Sequence, residues 1–193
     1  LADIQHSALT DPNIHEPKGI TTALAGQVYV ADGSNSGDWM FPAGHAYSEI
    51  YITEGVTAQT LSASSAKATL NPTGEWTSNG NKNVTQTPAS GTLTVLAAGE
   101  YKLDFWITFT TAAVASGAKY RFYYAINGTS GTRNVYCAKT TNGAETHTVS
   151  ASGIATLAAN DVLSIQVAGD ATSSGTDITP VEAGFNIQLI EPA

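Results

Sequence analysis

Two aromatic-rich segments, GEYKLDFWITF from Gly99 to Phe109 and KYRFYYAI from Lys119 to Ile126, constrain the fold of this chain more than any other feature. In the first, Tyr101, Leu103, Phe105, Ile107 and Phe109 share one face and Lys102, Asp104, Thr108 and Thr110 share the other, the period-two alternation of a strand buried on one side. Trp106 interrupts the polar face. In the second, Tyr120, Phe122, Tyr124 and Ile126 align, which leaves Arg121 and Tyr123 opposite. Two strands of this kind need a facing apolar layer, so the pattern predicts a β-sandwich with Trp106 and Tyr123 outside its core.

Composition narrows the function classes. Eight Lys and Arg stand against sixteen Asp and Glu, a formal net charge of −8. No run of cations offers a track for phosphates, which argues against nucleic acid as a partner. Cys137 is the one cysteine, so neither an internal disulfide nor a cysteine zinc site is available. It is predicted to pack as a small apolar residue in NVYCAK. No apolar run approaches bilayer length, and the opening LADIQHSALTDPN lacks the basic and apolar regions of a signal peptide. Neither membrane association nor export is expected.

The chain divides by composition. Residues 1–45 form a turn-rich arm in which Pro12 and Pro17 forbid a regular helix and remove ladder donors, so whatever the arm touches must order it. Gln27 to Ala31 is a short strand at most, and Trp39, Met40, Phe41 and Pro42 are an apolar cluster too small for a core of its own. From 46 to 193 the spacing predicts short strands at 48–53, 67–70, 74–78, 92–96, 99–110, 118–127, 134–139, 145–151, 162–168 and 184–190. Turns such as NPTG, INGTSG and GDATSSGTD join them, with no helix beyond a turn or two.

This second region resembles the complement C1q/tumour-necrosis-factor jelly roll. The resemblance rests on Gly99, Tyr101, Leu103 and Phe105, on YYAINGT, on LAANDVLSIQV from Leu157 to Val167 and on the closing AGFNIQLIEP. It implies an all-β sandwich whose ends lie close together, assembled as a homotrimer. An exposed patch carrying Trp106 and Tyr123 would independently mark an interface between copies. The arm resembles a segment near the start of phage head-fibre and capsid-decoration proteins. Asp11, Pro12, His15, Glu16, Pro17, Lys18 and Gly19 in DPNIHEPKG match it, followed by VYVADG from Val28 to Gly33 and by Trp39. That resemblance implies attachment to the major capsid protein of a phage and a location on the capsid surface.

Other constellations have simpler readings. His6, Asp11, His15 and Glu16 lack metal-ligand spacing and read as turn residues. Asp32 to Asp38 begins like a calcium loop, but the twelfth position is Ala43 rather than Glu. Glu100 and Asp104 stand four residues apart on one strand face, roughly 13 Å and too far for a glycosidase pair, and read as partners of Lys102 or Arg121 across strands. The sequons at Asn83 and Asn127 are discounted, because such triplets are common by chance and no export signal is expected. Trp76 is the aromatic placed outside the core as a sugar-stacking candidate. No enzyme activity and no cofactor is expected. Two functions follow: a trimeric capsid decoration or head-fibre protein held by its arm, or alternatively a tail-fibre tip whose loops 71–91, 126–133 and 169–177 bind host surface glycans.

Overall fold

The computed structural model describes residues 28–31, 37–40, 46–61, 66–132 and 134–193. Two compact units divide between Pro42 and Ala43. In the first, β1 (Val28–Ala31) pairs antiparallel with β2 (Gly37–Met40), setting Tyr29 opposite Trp39. The short strand expected at VYVA is therefore joined by a partner at GDWM. The arm residues Asp11 to Gly19, and the loop 32–36, lie outside the described residues.

The second unit is the sandwich. Its strands are β3 (Tyr47–Ile52), β4 (Gln59–Thr60), β5 (Ala68–Thr69), β6 (Thr77–Lys82), β7 (Val84–Thr87), β8 (Thr92–Val95) and β9 (Gly99–Thr111). They continue with β10 (Lys119–Ile126), β11 (Thr129–Ser130), β12 (Val135–Ala138), β13 (Thr146–Leu157), β14 (Val162–Gly169) and β15 (Asp177–Pro192). One sheet runs β13-β9-β15-β3-β6, with β4 on β15. The other runs β11-β10-β14-β8-β7, with β12 on β10 and β5 on β14. The main strands nest: first with last (β3–β15), then β8–β14, β9–β13 and β10–β12, all antiparallel. That nesting is the strand order of a jelly roll.

Alternation places the core as the sequence requires. Tyr101, Leu103, Phe105, Ile107 and Phe109 are all buried from β9, and Tyr120 and Phe122 from β10. Phe109 meets Tyr120 at 5.8 Å and Phe122 at 5.0 Å between ring centroids, and Phe105 meets Tyr124 edge-on at 5.0 Å. Each buried ring is worth about 1.5–3 kcal/mol over exposure, with roughly 0.5–1.5 kcal/mol more for favourable ring geometry. Within the same sheet, Phe185 and Ile187 of β15 stand beside Phe105 and Leu103 of β9 in register. Asn127 and Gly128, both with positive φ, make the two-residue turn between β10 and β11.

Several expectations are corrected here. Trp76 is buried, with its Nε1 donating to the Leu70 carbonyl at 3.0 Å, so it offers no stacking face. Lys102 pairs with Asp104 at 3.0 Å along one strand rather than across strands, and Arg121 lies on the other sheet. The three loops expected to bind glycans together lie at different places. Residues 71–91 contain β6 and β7. Asn127 N donates to Val162 O, at the end where Leu189 N meets Ala46 O and Ala193 N meets Ala98 O. Asp170 N donates to Lys119 O, at the opposite end, where Ala112 N meets Asp177 O.

Candidate functional site

An open groove separates the two sheets along the edge strands β10–β12 and β13. It measures about 960 Å³, and its floor is core: Leu103, Phe105, Phe122, Tyr124 and Ile126. The cause is legible in the register. Between Val149 and Leu157 the inward positions of β13 are Ala151, Gly153 and Ala155, set beside Phe105, Leu103 and Tyr101 on β9. Three small residues stand where a closed sandwich would carry large ones, so the edge stays unfilled. A Cβ added to Gly153 would find its nearest neighbour 3.9 Å away, at Tyr124 Cε2. Tyr124 ties the sheets together at this edge: its Oη lies 2.9 Å from Leu103 O and 2.7 Å from Ala151 O, and burial pushes the phenol pKa up.

The outer face of the β13-β9-β15-β3-β6 sheet carries exposed apolar groups: Trp106, Ile154, Ile190 and Tyr47. Trp106 is 39% exposed and stands in register with Ser150 and Gly184. Asp104 and Ser152 stand in register between Trp106 and Ile154, and beyond Trp106 lie Thr108 and Thr148, whose hydroxyls meet at 2.8 Å. Tyr123, the second residue expected on an exposed patch, is covered. It is 8% exposed, with the Lys67 ammonium 4.3 Å from its ring centroid. It also lies on the other sheet, so Trp106 and Tyr123 cannot form one patch within a protomer.

The titratable groups serve the frame. Lys139 is buried, and its ammonium donates to Thr111 Oγ1 at 2.9 Å, to Ala112 O at 3.1 Å and to Gly143 O. Hydrogen bonds from Thr141, and then Thr140, hold the Glu145 carboxyl at about 2, and its Oε2 lies 3.0 Å from His147 Nε2. Burial pushes the Cys137 thiol up to about 11, which removes the thiolate needed for nucleophilic chemistry at neutral pH. Hydrogen bonds from Ser173, Thr172 and Lys119 N–H groups outweigh burial and lower Asp170. Among the described residues, no three His, Cys, Asp or Glu side chains gather as a metal site.

Sequence reasoning named Trp106 but missed the groove. The signal was present in SASGIATL, where every inward position from 151 to 155 is Ala or Gly.

No protein-family model and no curated protein matches this chain. Among solved structures it is similar to Eiger TNF from S. frugiperda, at 13% identity over 77% of this chain and 95% of that one, with a TM-score of 0.48. Murine APRIL gives 11%, 74%, 98% and 0.46, and the globular domain of zebrafish complement 1qA protein gives 15%, 77%, 99% and 0.46. These are likenesses of fold.

Proposed function

We propose that this chain is a virion structural protein, a trimeric capsid decoration or head-fibre protein whose arm binds the major capsid protein of a phage and whose jelly roll is the displayed body. The observation that carries the assembly is that one protomer offers both an unfilled edge and exposed apolar side chains set among polar ones on the adjacent sheet. The groove leaves Phe105 and Leu103 at its floor, and the adjacent sheet presents Trp106 and Ile154. An edge that receives a face is a heterologous contact, and such contacts close into rings when the rotation permits. The arm motif from Asp11 to Gly19 supports attachment. Three arms on one trimer would grip a shell by avidity, with each contact weak. Binding only the assembled shell would stabilise it by mass action.

The test has two parts. Light scattering should give the mass of three chains for the whole protein and for residues 46–193. Shells of the parent phage's capsid protein should co-sediment with the whole chain and not with residues 46–193, and should open at a higher temperature when decorated. A monomer in both forms, or shells equally labelled by the shortened chain, would overturn the respective half of the proposal.

A further inference from the structure

Charge is segregated between the two sheets. The β13-β9-β15-β3-β6 sheet holds Glu49, Glu100, Asp104, Asp177, Glu182 and Glu191, whereas none of the seven strands of the other sheet contains an Asp or Glu. Yet Lys119 and Arg121 lie on that acid-free sheet, and Lys67 directly precedes its β5. The Lys102–Asp104 ion pair and the Glu145–His147 contact do not involve this sheet. Asp170, in the turn after β14, directs its carboxylate to the N–H groups of Lys119, Thr172 and Ser173.

The cations form a row. Lys119, Arg121 and Tyr123 alternate onto the outer face of β10, at steps of about 7 Å, and Lys67 rides over Tyr123. Beside Arg121 in register stands Tyr136 of the edge strand β12, 59% exposed, with the Lys119 ammonium 6.0 Å from its ring centroid. Lys119 and Tyr136 are exposed, and Arg121 is half-buried between them. We infer that this face of β10 and β12 binds a short anionic saccharide, its carboxylate or other acidic group held by Arg121 and Lys119 and one sugar ring resting on Tyr136. Arg121 presents a planar fork suited to a carboxylate. An amphipathic ring at the rim suits a sugar, which has apolar faces and polar edges. A long polyanion would meet the repulsion of a chain with a net charge of −8, so the site takes a short segment or chain end. This site is part of the jelly roll alone and does not depend on how the arm is used.

Two-dimensional NMR titration tests it, with oligosialic acid and oligogalacturonate tetramers as probes, maltotetraose as the neutral control and a dT tetranucleotide as the non-sugar anion. At least one acidic saccharide should shift the amides of 119–123 and 135–138, and affinity should fall at least tenfold in Arg121→Gln and in Tyr136→Ser. Lys102→Gln, on the opposite sheet, should leave it unchanged, and binding should weaken as salt rises. Unchanged melting temperatures would show the variants folded. No shift with either acidic saccharide, equal binding of maltotetraose, or undiminished binding by both variants would overturn the site. Equal binding of the tetranucleotide would overturn the choice of a saccharide.

Discussion

The indole of Trp106 occupies the space in which Gly184, its register partner on β15, would otherwise carry a side chain. A Cβ there would lie 2.5 Å from Trp106 Nε1 and 2.9 Å from Cε2. A glycine in a central strand weakens the ladder, and an aromatic ring laid across it restores contact. Gly184→Ala should therefore swing the indole off the sheet. The protomer should lose no more than ~1–2 kcal/mol, because an exposed ring has room to move. Self-association should weaken at least tenfold, as expected when a buried aromatic anchor is displaced. Tryptophan emission and light scattering on the same samples check this, and an unchanged association constant would remove Trp106 from the interface.

Filling the groove should separate folding from assembly. Gly153→Ala meets nothing closer than 3.9 Å and should stabilise the protomer by ~0.4–1 kcal/mol through the unfolded chain. Gly153→Leu should intrude into the groove and weaken self-association while the chain stays folded. Thermal melts and native mass, measured in parallel, distinguish the two effects.

Lys139→Met should cost about 2–4 kcal/mol in urea unfolding. The substitution keeps much of the apolar stem but leaves Thr111 Oγ1, Ala112 O and Gly143 O without their shared donor. A loss below ~0.5 kcal/mol would mean that water replaces the ammonium at no cost.

Acid should loosen the 139–147 turn. The Glu145 carboxyl is held at about 2 in the fold against an ordinary value of 4.5, so the unfolded chain takes up its proton first as pH falls. Its stabilisation is complete above the ordinary value and is lost progressively as pH drops towards 2. Glu145→Gln should lower the melting temperature at pH 7 and converge with the parent chain near pH 2. Parallel melting curves across that range would contradict the assignment.

Cys137 should resist alkylation. With its thiol near 11, the thiolate fraction at pH 8 is about a hundredfold below that of an ordinary cysteine, and labelling should accelerate on unfolding in urea. Rapid labelling of the folded protein would place the thiol closer to solvent than its half-buried position in β12 implies.

The sequence disclosed the sandwich because β9 and β10 alternate large aromatics with polar groups over eight residues or more. Where alternation fades, reading fails. β7, VTQT, carries one buried side chain, and the second half of β13 carries Ala and Gly inward, so neither announces itself. Trp76 was misplaced because its burial depends on Leu70 and Gly91, contacts set by the loop rather than by strand period. The groove escaped because it is defined by missing volume, which propensity does not record. Tyr123 shows the converse: its outward position follows from alternation, but its cover comes from Lys67, fifty-six residues away in sequence.

The final strand, β15, lies inside its sheet between β9 and β3, and so joins the beginning of the body to its middle. During synthesis, the edges of β3 and β9 that receive it stay bare until residues 177–192 have left the ribosome. A chain released or cleaved before that point would display two unpaired ladders, ready to capture the matching strand of another copy. Prompt synthesis and docking of residues 177–192 are thus a condition of this fold's solubility as well as of its shape.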